Sequence, residues 1–304
     1  RSAGKEIAFM GKTYTVEEAT FDSFKGMDIA LFAGGSISKD FAPHAVKAGA
    51  VVIDNSSAFR MDPEVPLVVP EVNPQAILKH KGIIANPNCS TIIMVMALKP
   101  IYDLAKIKRV IVSTYQAVSG AGKEGIDELD AQVREHSEGR EMTANILPSA
   151  SAEKHYPIAF NLIPQIDVFC DNLYTKEEMK MINETKKIME DNEMRITATT
   201  IRVPVYRSHS ESVNIELEQD VDLDVMRAAL AKFPGVTVQD DPASQEYPMP
   251  LYTSEKDDVY VGRLRRDESC EKSYNMWVVG DQIRKGAALN TLQIAETMIK
   301  NGWI

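Results

Sequence analysis

Cys89 lies in the stretch Asn86-Pro87-Asn88-Cys89-Ser90-Thr91. Ahead of it, Gly82-Ile83-Ile84-Ala85 reads as a short apolar strand. Behind it, Ile92 to Leu98 reads as a buried helix that stops before Pro100. A cysteine at such a strand-to-helix turn meets unpaired backbone N–H groups and the positive end of a helix dipole, and both stabilise a thiolate. That is the chemistry of a sulfur nucleophile. A lone cysteine is more often a small buried hydrophobe, so the reading needs partners.

An imidazole is the natural acid and base for a thiol. The five histidines are His44, His80, His136, His155 and His209. His209 stands among Arg207, Ser208, Ser210 and Glu211, which alone reads as a solvated loop. Gln116 falls at the expected carboxyl end of a strand, where an amide either satisfies backbone groups or meets a ligand. Arg202 ends an alternating strand, as a surface charge or as a two-pronged grip on a carboxylate. Glu177 and Lys180 are three apart on one helix, the spacing of an exposed ion pair. Gly34-Gly35 and Ser119-Gly120-Ala121-Gly122 each follow a strand, where bare backbone can approach a ligand.

The elements that must position these residues fall into two groups. Strand signals at Met27 to Ala33 and Ala50 to Asp54, a helix over about Ser38 to Lys47, and short apolar runs at Leu67-Val68-Val69 and Ile83-Ile84 have the rhythm of parallel α/β units. From Lys106 the pattern becomes that of half-exposed, mostly antiparallel strands, at Val110 to Tyr115, Arg195 to Val203, Val213 to Glu218 and Met276 to Val279. Thr175-Lys176-Glu177-Glu178 is a capping box that opens a helix to about Asn192. A second helix runs from Asp222 to Phe233 before Pro234-Gly235, and a last one from Lys285 to Asn301. The fold class is therefore α/β. A Rossmann-like doubly wound domain takes residues 1–88 with the C-terminal helix 285–304, and an α+β catalytic and dimerisation domain takes 89–284.

With 304 residues there is ample length for a large core. The formal charge of −10 disfavours nucleic acid as a partner. No apolar run approaches the roughly 18 residues of a membrane span. Cys89, Cys170 and Cys270 are too scattered for a disulfide framework or a metal site, which points to a reducing cytoplasm.

Taken together, the segments are similar to the aspartate-β-semialdehyde dehydrogenase family, in the form common in Gram-positive bacteria. The resemblance is carried by Arg1-Ser2-Ala3-Gly4-Lys5, Asp54 to Arg60, Val69-Pro70-Glu71-Val72-Asn73, Asn86 to Thr91, Tyr115 to Gly122, Arg202-Val203-Pro204-Val205 with His209, and Arg284 to Thr291, in order along essentially the whole chain. It implies NADPH-dependent reductive dephosphorylation of aspartyl phosphate to aspartate semialdehyde. Phosphate and NADP are the other products, and the path runs through a cysteine thioester. A thioester suits hydride reduction because its carbonyl is electrophilic and thiolate leaves well.

The resemblance further implies that Cys89 is the nucleophile, that His209 is the acid and base that takes its proton, and that Gln116 orients the acyl group. Arg202 would hold the substrate carboxylate, Arg60 and Lys180 its phosphate, Glu177 its ammonium, and Asn88 would be a further substrate contact. Arg1, Ser2, Gly34, Ser119, Gly120 and Asn290 would bind NADP, with Arg1 and Ser2 at the 2′-phosphate and Asn290 on the nicotinamide side. A homodimer or homotetramer is expected. The family's first strand and glycine-rich pyrophosphate loop would precede Arg1, so an amino-terminal piece is expected ahead of this chain. The alternatives are a sister acyl-phosphate reductase of the N-acetylglutamyl type, and an inert binding or assembly subunit.

Overall fold

The computed structural model describes residues 2–150 and 152–304. Strands β1 (Glu6–Phe9) and β2 (Lys12–Thr15) form an exposed antiparallel hairpin. The sequence reading does not anticipate it, because its residues carry little apolar periodicity. Next come β3 (Ile29–Phe32), helix α1 (Ser38–Lys47), β4 (Val51–Asp54) and β5 (Ile83–Ala85). The three strands make a parallel sheet in the order β3-β4-β5. Successive side chains in a strand face opposite ways, and β4 uses both faces. Val52 packs with Ala42 and Ala45 of α1, whereas Ile53 packs with Ile294, Ala295 and Met298 of the C-terminal helix. Helices thus cover both sides, as the doubly wound reading requires. Of the run Leu67-Val68-Val69, Leu67 joins as a single parallel bridge to Ala85.

Helix α2 (Cys89–Tyr102) leaves the carboxyl end of β5. It is buried on every side from Ser90 to Leu98, so packing holds it in place of amphipathicity. It does not stop before Pro100. The proline removes only the bond it would itself donate in the last turn, and the Asp103 N–H still reaches the Lys99 carbonyl at 3.0 Å.

The second half contains β6 (Ile107–Gln116), α3 (Lys123–Ser137), α4 (Lys176–Ile188), β7 (Arg195–Arg202), β8 (His209–Leu217) and α5 (Leu223–Lys232), then β9 (Val236–Val238), α6 (Pro250–Thr253), β10 (Val259–Arg266) and β11 (Ser273–Gly280). Six strands form one mixed sheet, ordered β7-β6-β8-β11-β10-β9. The two outer pairs are parallel and the inner pairs antiparallel. One face buries Val112, Ala198, Val213, Ile215, Val261, Met276 and Val278 against α2, with α4 and α5 completing the layer. The other face is half-open: Ser113, Tyr115, Asn214 and Trp277 are only partly buried, and the Tyr115 and Trp277 rings lie 5.5 Å apart.

Several element bounds differ from the sequence reading. β8 opens at His209, four residues before the apolar alternation becomes visible, and α4 ends at Ile188. The segment after Arg284 makes one π-helical turn, Arg284–Ala288, before α7 (Leu289–Asn301). Helix α3 and strands β9 and β10 are additional elements. Among the described residues no helix is long and apolar enough to cross a membrane.

Leu98 is fully buried at the centre of the α2 layer. Leu98→Ala is expected to cost about 2–5 kcal/mol, read as a lower urea midpoint at unchanged slope.

Candidate active site

The carboxyl ends of β3, β4 and β5, the start of α2 and the turn after β11 surround a cleft of about 410 Å³. Ala33, Asn55, Arg60, Asn88, Cys89 and Gly120 are among its walls. Asn88 is the N-cap of α2, and its Oδ1 accepts the Thr91 N–H at 3.2 Å. Two carboxylates of α4 then lock it. Asn88 donates its backbone N–H to Glu184 at 2.6 Å and its Nδ2 to Glu177 at 3.0 Å. Residues 177 and 184 are two helical turns apart and so share a face of α4. Cys89, the first residue of α2, is held half-buried in this grip.

Glu177 is not the surface partner of Lys180 that its spacing suggests. It is buried, and it also accepts Gln116 Nε2 at 3.2 Å and Lys180 Nζ at 3.2 Å. Lys180 has a second carboxylate, Asp167, at 2.9 Å. Burial would lower the Lys180 pKa, but Glu177 and Asp167 outweigh it and the net is upward.

Arg60 donates Nη1 to Glu184 at 3.1 Å, Nε to the Asn86 carbonyl and Nη2 to the Asn55 carbonyl, both at 2.9 Å. It ties the ends of β4 and β5 to α4. Burial lifts the Glu184 carboxyl above its usual range, against the pull of Arg60 and the Asn88 N–H. Both its oxygens face donors, so the ionised form fits the contacts. Nothing in the sequence around Glu184 marked it beyond its helical period of seven from Glu177.

Arg202 and His209 approach from β7 and β8. Arg202 is buried and donates Nη1 to the Ala117 carbonyl at 2.7 Å, while its Nε has no partner among the described residues. His209 is fully buried at the head of a strand, where the sequence alone reads as a solvated loop. Its Nδ1 accepts the Ala117 N–H at 3.1 Å. A Cβ on Gly120 would come within 2.7 Å of Arg202 Nη1 and 3.4 Å of His209 Nε2, so only glycine lets the loop lie this close. The preceding Ser119 accepts a short hydrogen bond from Gln282. Across the cleft, a Cβ on Gly286 would stand 2.9 Å from that of Cys89.

Cys89 itself differs from expectation. Burial first, and the Glu177 charge second, push its thiol up to about 12, against the pull of Arg60, the Ser90 N–H and Arg202. In the free protein it is a thiol and not the stabilised thiolate that a helix N-terminus suggests. Desolvation of the sulfur outweighs the helix-end field.

The remaining expected residues are less tightly gathered. Asn290 is fully buried behind the cleft and donates Nδ2 to Asn86 Oδ1 at 2.7 Å and to the Val68 carbonyl at 3.0 Å. Gly34 adjoins the cleft through Ala33, and Gly35 holds a φ of 65° in the turn that enters α1. Ser2 is exposed at the foot of the β1–β2 hairpin and is not among the residues that line the cleft. Arg1 lies outside the described residues.

Two family models cover most of the chain. Residues 1–80 match the NAD binding domain of semialdehyde dehydrogenase, and residues 98–285 match its dimerisation domain. The aspartate-semialdehyde dehydrogenase of Aquifex aeolicus is 56% identical over 100% of this chain and 89% of its own length. That of Bacillus subtilis is 54% identical over 99% of this chain and 87% of its own. A solved structure, aspartate semialdehyde dehydrogenase II of Vibrio cholerae complexed with ASA, superposes with a TM-score of 0.91 at 46% identity, over 98% of this chain and 87% of that one.

Because the free thiol is held far above neutrality, alkylation of Cys89 by iodoacetamide should rise about tenfold per pH unit from about pH 7 to pH 10. A plateau already at neutral pH would contradict this. Glu184→Gln should leave Arg60 and the Asn88 N–H poorly matched and cost on the order of 3 kcal/mol in urea unfolding.

Proposed function

The chain belongs to the aspartate-semialdehyde dehydrogenase family, and on that premise we propose how its own residues carry out the reaction. The activity is reductive dephosphorylation of aspartyl phosphate to aspartate semialdehyde, in amino-acid biosynthesis. The sister acyl-phosphate reductase and the inert subunit are set aside by that membership. The observation that carries the residue assignment is the double lock on Asn88, which holds Cys89 on the wall of a cleft that Arg60 also lines.

Cys89 Sγ, once ionised, attacks the acyl carbon. The C–S bond forms, the bond from that carbon to the phosphate oxygen breaks, and phosphate leaves with the electron pair. Arg60, on the cleft wall, meets the phosphate, with Lys180 of α4 as the second cation. Arg202, whose Nε is unpartnered among the described residues, grips the substrate carboxylate, and a buried guanidinium with such an edge suits that task. Glu177, with Asn88, receives the substrate ammonium. Gln116, hydrogen-bonded to Glu177, orients the acyl chain over the sulfur, and His209 serves as the acid and base.

The cleft is placed where a dinucleotide would bind. It lies at the carboxyl ends of three parallel strands, where such ligands bind, and the Gly34-Gly35 turn leaves bare backbone beside it. When bound, the cofactor supplies the hydride that reduces the thioester. Gly34, Ser119, Gly120 and Asn290 would hold it, and the Arg1-Ser2 segment would select NADP by pairing with the 2′-phosphate.

Residues 1–88 with 285–304 would form the cofactor half and 89–284 the catalytic and dimerisation half. Packing of α7 on the parallel sheet supports that division. The half-open face of the mixed sheet would meet a second subunit, giving a homodimer or homotetramer in the cytoplasm.

Cys89→Ser should lower phosphate-dependent reduction of NADP with aspartate semialdehyde by at least about a thousandfold, and retained turnover would refute the thioester. Arg202→Lys should raise KM for aspartate semialdehyde about tenfold or more, since the two-pronged grip is lost. A KM that stays put would remove Arg202 from the carboxylate.

A further inference from the structure

Residues 177, 180, 184 and 187 recur at helical spacing and share one face of α4. Glu177, Lys180 and Glu184 have their places at the cleft. Lys187, one turn beyond Glu184, is not among the residues that line it, yet its ammonium is fully engaged. Its Nζ donates to the carbonyls of Arg60 at 2.8 Å, Asp62 at 2.7 Å and Val65 at 2.8 Å. An ammonium has three N–H donors, and three main-chain oxygens of one segment take them all. Those oxygens lie 122 to 127 residues earlier in the chain, so this is no local cap of the helix end.

The segment needs such a fastening. Between β4 and the bridge at Leu67, residues 55–66 form neither helix nor strand. Pro63 and Pro66 offer no N–H. The Asp62 N–H reaches the Phe59 carbonyl at 3.0 Å and the Val65 N–H reaches the Asp62 carbonyl at 3.2 Å, which shape the turns without placing them on the fold. Val65 joins the apolar layer around α2, and the Glu64 pair with Lys81 is exposed and adds little. Lys187 thus ties the turns to α4. The residue they carry is Arg60. Its guanidinium gives one N–H each from Nε, Nη1 and Nη2 to Asn86, Glu184 and Asn55, so one N–H remains on each terminal nitrogen. Helix α4 therefore holds Arg60 at both ends, with Glu184 on the guanidinium and Lys187 on the carbonyl of the same residue.

We propose that Lys187 is a positioning residue for phosphate: it clamps the segment 60–65 to α4, so that Arg60 offers its two remaining N–H groups to phosphate oxygens in the cleft. The proposal rests on the reading of Arg60 as a phosphate contact. A two-pronged pairing of guanidinium and phosphate is strict in angle, and a segment released from three hydrogen bonds loses one prong with a small shift. The groups assigned to the substrate carboxylate and to the dinucleotide stand on β7 and on the Gly34-Gly35 turn, which Lys187 does not touch. Its effect is therefore confined to one ligand. A lysine that merely stapled the fold would weaken every ligand together.

Reduction of NADP with aspartate semialdehyde, with inorganic phosphate as the varied substrate, tests this on the full chain. Lys187→Met should raise KM for phosphate about fivefold or more and leave KM for aspartate semialdehyde and for NADP within about twofold. In an Arg60→Lys background, which lacks the fork, the same substitution should change KM for phosphate by less than about twofold, because Lys187 acts through Arg60. An unaltered phosphate KM in Lys187→Met, a rise in all three KM values together, or a rise that persists in full without the Arg60 fork overturns the proposal. Should Lys187→Met fail to fold, Lys187→Gln, which keeps N–H donors but no charge, is read against the same limits. Arg60→Lys alone tells the two failures apart. If it leaves KM for phosphate unaltered, the reading of Arg60 is wrong; if it raises that KM and the Lys187 variant does not, only the positioning role is.

Discussion

Two buried carboxylates on one face of α4 set the position of the start of α2, where the candidate nucleophile sits. Glu184 takes the Asn88 backbone N–H and Glu177 its side-chain amide, so the residue before Cys89 has no freedom left. The same two groups fix Gln116, Lys180 and Arg60. The capping box at Thr175 makes this possible, because it fixes where α4 begins and hence which residues fall on that face. Moving the helix start by one residue would rotate both carboxylates by about 100° away from α2.

The location of that box also explains how the sequence could be read as far as it was. Local patterns reveal local structure: α1 over Ser38–Lys47, the Thr175 cap and the Asp222 cap all rest on contacts within a few residues. Cys89, Gln116 and Arg202 were legible as candidate chemistry at strand and helix ends. Their protonation was not, because it depends on burial and on charges that arrive from distant segments. Cys89 reads as a thiolate from its helix end alone, yet 88 residues later in the chain Glu177 brings a negative charge to it. His209 sits in a polar run that spells a loop, and it becomes the buried head of a strand only through pairing with Gly280 of β11 and through the Ala117 N–H that follows β6. Glu184 left no local mark because its partners lie near residues 60 and 88.

Charge in the cleft is balanced so that no one group is decisive. Arg60 and Arg202 pull the Cys89 thiol down while burial and Glu177 push it up, and in the free protein the second pair wins. Burial, and with it the Glu177 charge, pushes the Glu211 carboxyl well above its usual range. On the proposed assignment, a substrate carrying a carboxylate, an ammonium and a phosphate would meet a complementary group for each, and every such pairing would change the field at the sulfur. Reactivity is thus a property of the filled cleft more than of the cysteine.

The cleft's shape follows from ion pairs that join distant parts of the chain. Arg60, between β4 and β5, is bound by Glu184 of α4. Lys285, in the π turn that presses Gly286 onto Cys89, is buried and bound by Glu71 at 2.6 Å, with Asn290 and Gln293 completing its shell. Burying such charges gains little net stability, since desolvation offsets most of the attraction. Their geometry is strict, however: a guanidinium or ammonium with all its acceptors placed tolerates little sliding before a buried charge loses its partner. Apolar packing at the same positions would hold the two sheets together and let them shift. The pairs therefore fix the spacing between the strand ends and α2, so that the sulfur and the cations opposite it keep one arrangement.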